Sequence, residues 1–199
     1  MQKNILDNFN HDKYILEFKD KKYFIYDLDN TLLFYAIIAE TAFPPNDIRL
    51  YSNRQKNIEL INIKTTQNFN YYKTFTITDS SKGKIIGYAQ LSEYKSVFID
   101  QWRILTPEKK DIGYIQEESD FLSILRYMIS MLIPQKFYIM IEGEKVAVFE
   151  QTFNPFFLKM KLDFSLDTKN ILDKKLGVAY AILSTIKTKH ADIAGPGNN

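Results

Sequence analysis

The sequence contains no cysteine and only two histidines, His11 and His190, among its 199 residues. Without cysteine, the chain cannot form disulfide bonds, cysteine-ligated zinc sites, iron–sulfur clusters or a thiol nucleophile. Two histidines leave little material for a histidine metal site or a Ser-His-Asp triad. The composition therefore predicts no cofactor and disfavours most familiar enzyme classes.

The chain also lacks an excess of charge of either sign. It has 26 Lys and Arg against 24 Asp and Glu, which gives a formal net charge of +2. Domains that bind nucleic acid are usually strongly basic, so no nucleic-acid partner is predicted. No feature of the composition specifies an oligomeric state.

Long hydrophobic runs are missing as well. The most apolar stretches, residues 34–43, 121–133 and 176–186, are all shorter than the roughly 20 residues that span a bilayer. Residues 1–18 mix Lys, Asp, Asn and His with apolar residues and so lack the hydrophobic core of a secretory signal. We therefore expect a cytoplasmic protein.

Apolar and aromatic residues are abundant, at 45% and 15% of the chain. At this length they can build one sizeable core. We predict a single domain over residues 13–188, preceded by an N-terminal extension, residues 1–12. A flexible tail, residues 189–199, is expected to follow because this segment ends in Gly195-Pro196-Gly197 and two asparagines.

One pattern occurs five times along the chain: an aromatic or β-branched run, a polar turn and a second apolar run. The five copies cover residues 23–35, 48–61, 75–88, 102–114 and 137–149. Each predicts an antiparallel hairpin. Gly83, Gly143 and Asn30 are available where a turn needs a positive φ.

Four more β-rich segments, residues 14–18, 71–74, 96–100 and 159–164, raise the count to about a dozen strands. A closed antiparallel barrel of about 12 strands would leave no exposed strand edge. The sequence therefore predicts a mainly β protein built from repeated hairpins.

Two helices are predicted as well. Residues 120–132 place apolar side chains at helical spacing, so we expect an amphipathic helix there, capped by Ser119 and ended by Pro134. Residues 176–183 carry no polar side chain except the Tyr180 hydroxyl. A helix that is apolar on every side must be buried, and Gly177 keeps it narrow enough for the strands to enclose it.

This combination resembles the tubby C-terminal-like superfamily, which includes tubby domains, phospholipid scramblases and plant and bacterial LURP-one-related proteins. The triplets Ile86-Gly87-Tyr88 and Ile112-Gly113-Tyr114 resemble the LURP-one pattern of a turn followed by a returning strand. Residues 161–183 look like the segment that leads scramblases and their bacterial relatives into a central helix. The resemblance implies a 12-stranded barrel around that helix and, as in tubby domains, binding of lipid headgroups.

The chain departs from scramblases in three respects. It has no cysteine to carry a palmitoyl group, no proline-rich N-terminal region and no clean acidic Asp-x-Asp-x-x-Gly calcium segment. Calcium-driven lipid scrambling is therefore not expected.

Four lysines are the candidate headgroup ligands. Lys159 and Lys161 share one face of a predicted strand, and Lys174 and Lys175 precede the buried helix. If all four lie at the mouth of the barrel, each could contribute about 1 kcal/mol near an acidic surface. A solvated face interleaved with acidic residues is the alternative interpretation. Further lysine groups are Lys19, Lys21 and Lys22, and the pair Lys109 and Lys110.

The resulting hypothesis is a protein without catalytic activity that acts at or near anionic phospholipid membranes. A soluble ligand-binding or protein-interaction module is the alternative.

Two groups of acidic residues raise other possibilities. Asp163, Asp167 and Asp173 could be calcium ligands, but their spacing matches no calcium loop. A strand-end turn followed by a helix-start acid is the alternative.

Asp27 and Asp29, followed by Thr31, match the start of haloacid-dehalogenase phosphatases, where they would be nucleophile and acid/base beside Mg²⁺. Residues 32–39 look like a returning strand rather than a helix, which favours a hairpin turn over this second alternative.

Overall fold

The computed structural model describes residues 5–39, 47–66, 72–92, 101–117, 134–154 and 156–193. A 3-10 helix, Ile5–Asn10, comes first, and a single α-helix, α1 (Lys174–Ile193), comes last among the described elements. Between them lie the strands β1 (Lys13–Lys19), β2 (Lys22–Tyr26), β3 (Leu32–Ile38), β4 (Asp47–Tyr51), β5 (Glu59–Thr66), β6 (Tyr72–Asp79), β7 (Lys84–Ser92), β8 (Gln101–Leu105), β9 (Asp111–Glu117), β10 (Lys136–Ile141), β11 (Glu144–Thr152) and β12 (Leu158–Asp163).

The twelve described strands form one closed barrel in which each strand pairs with its neighbours in the sequence. The barrel closes because β1 pairs with β12 as well as with β2, with Lys13 opposite Asp163 and Phe18 opposite Leu158. All pairs are antiparallel, so the chain runs up and down around the barrel. This confirms the predicted closed, mainly β architecture.

The five predicted hairpins are β2–β3, β4–β5, β6–β7, β8–β9 and β10–β11. Each contains a shift of register, which marks a β-bulge, within the last residues before its turn. Bulges bend a strand and increase its twist, so the repeated bulge helps to curve the sheet into a barrel. Asn30, Gly83 and Gly143 have φ angles of 61°, 60° and 83°, as the turn assignment requires.

Two of the four additional β segments are separate strands in the part of the chain that the structure describes. Residues 14–18 and 159–164 correspond to β1 and β12, whereas the described part of residues 71–74 belongs to β6 and is not a strand of its own. Residues 96–100 and the predicted amphipathic helix at 120–132 lie outside the described residues.

Helix α1 fills the barrel. Its segment from Val178 to Leu183 is 0% exposed, and it packs against the inward side chains of the strands. Gly177 permits the close approach, because a Cβ atom at this position would lie 2.9 Å from Cζ of Phe164. The prediction of a narrow, buried helix is therefore confirmed over residues 177–183.

The two ends of the barrel differ. At the end where α1 begins, which we call the upper end, lie the turns of the five hairpins and the 3-10 helix. Phe9 of that helix is buried and stacks on Phe34 with ring centroids 4.4 Å apart. The lower end carries the β1–β2 turn and the loop between β11 and β12. No helix in the described part of the chain is both long enough and apolar enough to cross a membrane.

Candidate functional site

The four predicted headgroup lysines occupy two separate places. Lys159 and Lys161 point outward from β12, because the alternate residues Leu158, Met160 and Leu162 are buried. Lys174 and Lys175 lie at the start of α1 at the upper end. Three of the four ammonium groups already have acidic partners.

Among these lysines, Lys175 forms the most buried ion pair. Its Nζ lies 2.5 Å from Oδ2 of Asp79, and the two side chains are only 14% and 2% exposed. The ammonium group also lies 5.7 Å from the ring centroid of Phe9. Lys175 therefore holds the start of α1 against the end of β6 and is not available to a ligand.

The environment of Asp79 keeps its carboxylate ionised. Burial by itself raises the pKa of this carboxyl group, but hydrogen bonds from Lys175 and Ser81 outweigh burial and lower the pKa below its ordinary value. Ser81 donates both its backbone N–H, at 3.0 Å, and its hydroxyl, at 2.6 Å, to Asp79 Oδ1. The ion pair therefore has a structural role at the upper end of the barrel.

Lys174 and Lys159 form more exposed ion pairs. Lys174 Nζ lies 2.6 Å from Oδ1 of Asp12, and Lys159 Nζ lies 3.0 Å from Oε1 of Glu17 on the neighbouring strand β1. Only Lys161, among the four, makes no ion pair with any residue that the structure describes. The predicted four-lysine cluster is therefore not assembled as one open site.

The three candidate calcium ligands each serve the local backbone. Asp163 accepts the N–H and the hydroxyl of Ser165 at 2.9 and 2.6 Å and pairs with Lys13 at 3.0 Å. Asp167 accepts the N–H groups of residues 171 and 172, both at 2.8 Å. Asp173 precedes α1 and accepts the N–H of residue 175 at 2.8 Å, which is the position of an N-cap. Within the described ranges, no group of three acidic or histidine side chains could hold a metal ion.

Asp27 and Asp29 lie in the hairpin turn between β2 and β3. Asp27 Oδ1 accepts the N–H groups of Asp29, at 3.0 Å, and Thr31, at 2.7 Å. The chain then returns antiparallel as β3, so the strand, loop and helix that surround a haloacid-dehalogenase site are not formed here. The hairpin interpretation of this motif is confirmed.

A surface at the lower end combines exposed aromatic side chains with exposed lysines. Phe153 and Phe156 are 63% and 88% exposed in the loop between β11 and β12. The neighbouring β1–β2 turn carries Lys19, Lys21 and Lys22, all exposed. We call these five residues the Phe–Lys surface. It exists because β12 pairs with β1 and brings the two connections side by side.

The β1–β2 turn concentrates positive charge. Asp20 and Lys21 both have positive φ, 52° and 61°, as in the two-residue type I′ turns that connect tight hairpins. Lys19 and Lys22 consequently lie directly opposite each other in the ladder. Like charges at such a position destabilise a sheet, so an anionic surface would relieve their repulsion.

Asn154 holds the backbone at Phe156, the more exposed of the two phenylalanines. Asn154 Oδ1 accepts the N–H of Phe156 at 2.9 Å and that of Phe157 at 3.2 Å. These two hydrogen bonds hold the backbone at residues 156 and 157 without help from the Phe156 ring, which is exposed to solvent. Large aromatic side chains are usually buried, so two exposed ones close together indicate a contact surface.

The sequence contained a partial signal for this surface. Lys19, Lys21 and Lys22 form a recognisable lysine group in the sequence, whereas neither Phe153 nor Phe156 was singled out from the sequence. An Asn-Pro dipeptide between the two phenylalanines marks a turn and could have indicated that they lie on a loop rather than in a strand.

Comparison with known proteins gives little further guidance. No protein-family model matches the chain, and no curated protein matches it. An X-ray structure of a protein from Arabidopsis thaliana is similar over 91% of each chain, at 12% sequence identity and a TM-score of 0.43. A similarity at that level assigns neither a family nor an activity to this chain.

Proposed function

We propose that this protein binds anionic phospholipid membranes peripherally from the cytoplasm, and that the Phe–Lys surface makes the contact. We further propose that it is a non-enzymatic member of the tubby C-terminal-like superfamily, as the hairpin barrel around an apolar helix and the sequence resemblance suggest. The observation that carries the binding proposal is the placement of Phe153 and Phe156 beside three exposed lysines.

The chemistry of the surface suits the boundary between lipid headgroups and acyl chains. Each lysine near an anionic leaflet contributes about 1 kcal/mol. Each phenylalanine that leaves water contributes about 1.5–3 kcal/mol. The acidic Asp20 in the same turn opposes part of the electrostatic attraction. Binding by a few lysines and two rings should be reversible and sensitive to salt.

The first experiment is sedimentation of the full chain with two kinds of vesicle. One contains phosphatidylcholine alone, and the other contains three parts phosphatidylcholine to one part phosphatidylserine. We expect binding to the anionic vesicles only, weakening as salt rises towards about 0.5 M, where the Debye length falls to about 4 Å.

Variants then test the surface. Replacing Lys19, Lys21 and Lys22 by Gln should weaken binding by roughly a hundredfold, because each lost charge costs about 1 kcal/mol and about 1.4 kcal/mol corresponds to a factor of ten. Phe156→Ala should weaken binding even at low salt.

The matched control replaces Lys82, Lys84 and Lys110, which are exposed lysines at the upper end, by Gln. This variant should bind the vesicles as well as the native chain does. If the control and the test variants lose binding equally, the Phe–Lys surface does not make the membrane contact. If the native chain binds no vesicle under any condition, the membrane proposal fails and a soluble ligand-binding or protein-interaction module takes its place.

A further inference from the structure

A second surface with similar chemistry lies on the wall of the barrel. A groove of about 470 Å³ runs over the outer face of β1, β12 and β11 towards the upper end. Leu28 and Leu166, which are 63% and 49% exposed, stand beside it. Its polar lining includes three lysines, Lys13, Lys136 and Lys161, against Glu150 and Asp163.

Lys161 is the cation of this groove that is best placed to meet a ligand. It is exposed, lies between Ile15 on β1 and Glu150 on β11 in the register, and has no ion-pair partner among the described residues. Lys13, in contrast, is paired with Asp163 at 3.0 Å. An anionic headgroup at Lys161 would have apolar side chains close by, which is the combination that a phospholipid presents.

The groove and the Phe–Lys surface lie on the same side of the barrel. Both border the seam where β1 pairs with β12, one towards the upper end and the other at the lower end. Strand β12 has six residues, so at a rise of about 3.3 Å per residue the two surfaces lie roughly 15–20 Å apart.

The exposed apolar side chains are unevenly distributed around the barrel. Seven large hydrophobic residues of the described chain are exposed. Four of them, Leu28, Phe153, Phe156 and Leu166, flank the seam, whereas Ile85 lies on β7, which is opposite the seam in the strand order. A barrel that touched a membrane only with its lower end would leave Leu28 and Leu166 in water, so these side chains would not contribute to binding.

We infer that the barrel lies on its side on an anionic bilayer, with the β1–β12 seam facing the lipid and the groove at Lys161 acting as a second headgroup contact. This inference rests on the proposed membrane function. It adds a second contact surface and an orientation that the proposed function alone does not specify.

The absence of native cysteine allows single labels to test the orientation. Leu166→Cys reports on the groove, Phe153→Cys on the lower end, and Ile85→Cys on the opposite wall. Each variant carries an environment-sensitive nitrobenzoxadiazole label and is mixed with the phosphatidylcholine–phosphatidylserine vesicles. We expect the emission of the labels at 166 and 153 to shift to the blue and to be quenched by nitroxide lipids, while the label at 85 stays unchanged.

The other outcomes separate the two proposals. A response at 153 without one at 166 would mean that the barrel stands upright, which overturns the side-on orientation and leaves the proposed function intact. A response at all three positions overturns the orientation too. No response at any position, with no sedimentation of the native chain, would overturn both proposals.

A charge variant tests the groove without a label. Lys161→Gln should weaken vesicle binding about fivefold, the effect of one charge near an anionic surface, and Lys161→Arg should retain it. Lys84→Gln, on the opposite wall, is the matched control. Equal effects of Lys161→Gln and Lys84→Gln would show that the groove makes no specific contact.

Discussion

The residue Lys175 shows how burial changes the role of a charged side chain. In the sequence it was one lysine of a proposed headgroup site, next to Lys174. In the folded chain it is enclosed with Asp79 beneath the 3-10 helix. Lys169 offers a contrast, because its pair with Glu144 is exposed, at 65% and 48% of the two side chains.

Removing the buried lysine should therefore be costly. Lys175→Met leaves the Asp79 carboxylate buried without its partner, and we expect the free energy of unfolding to fall by about 3 kcal/mol. Lys169→Met should leave it nearly unchanged, since exposed pairs contribute little. Urea unfolding followed by the fluorescence of Trp102, which is the only tryptophan and is 2% exposed, measures both. Equal effects would contradict a structural role for the buried pair.

The pH dependence provides a second check on the same pair. Because folding lowers the pKa of Asp79, the pair stabilises the native state fully above the ordinary carboxyl pKa of about 4. The stabilisation is lost as the pH falls through the lower pKa of the folded state. The stability difference between the native chain and Asp79→Asn should therefore shrink in acid. A difference that stays constant would show that Asp79 does not carry this effect.

At the scale of elements, the glycines of the two apolar-Gly-aromatic triplets occupy the same position in their hairpins. Gly87 is opposite Ile77, and Gly113 is opposite Ile104. Each isoleucine comes immediately before the register shift of its hairpin. In the β10–β11 hairpin the same position is occupied by Ala147, opposite Ile139. Small residues thus occupy this position on the returning strand in three of the five hairpins, whereas Phe34 and Ile61 occupy it in β2–β3 and β4–β5.

Of these positions, Gly113 has the least space for a side chain. A Cβ atom there would lie 2.9 Å from the carbonyl carbon of Met140 on β10, and backbone atoms cannot move aside easily. We expect Gly113→Ala to lower the free energy of unfolding by more than about 3 kcal/mol, the size typical of severe steric conflict.

The control is Gly83→Ala in the β6–β7 turn. Gly83 has a φ of 60°, and a Cβ atom at this position would meet no atom of the described chain within 4 Å. Alanine should therefore cost only about 1–2 kcal/mol of left-handed strain. Urea unfolding compares the two variants. A Gly113→Ala effect no larger than that of Gly83→Ala would contradict the steric explanation.

At the scale of the whole molecule, closure of the barrel pairs the first described strand with the last. Lys13 on β1 is opposite Asp163 on β12, and α1, which follows β12, fills the space that all the strands enclose. No group of described strands has a core separate from the helix. The barrel should therefore fold and unfold as one unit.

We expect a single unfolding transition in urea, with the far-UV circular dichroism and the Trp102 fluorescence changing together. Refolding should take milliseconds to seconds, because contacts between distant residues must form before the barrel closes. Loss of one signal well before the other would show that part of the barrel unfolds independently.

Much of the fold followed from local patterns in the sequence. The hairpins were recognisable because apolar residues alternate with period two between turn residues, and this pattern depends only on neighbours along the chain. Burial of α1 followed from the lack of a polar face at residues 176–183. The assignment of residues 72–74 to β6 was not predicted, since the pattern does not show where one strand ends and the next begins.

The candidate site depended on contacts that no local pattern contains. Lys175 and Asp79 are 96 residues apart, and only the passage of α1 through the barrel buries them together. The loop that carries Phe153 and Phe156 adjoins the turn that carries the three lysines only because β12 pairs with β1. Hydrophobic periodicity along the chain thus determined the barrel and its central helix. Tertiary pairing decided which charges are neutralised and which remain on the surface, because an ion pair depends on proximity in space.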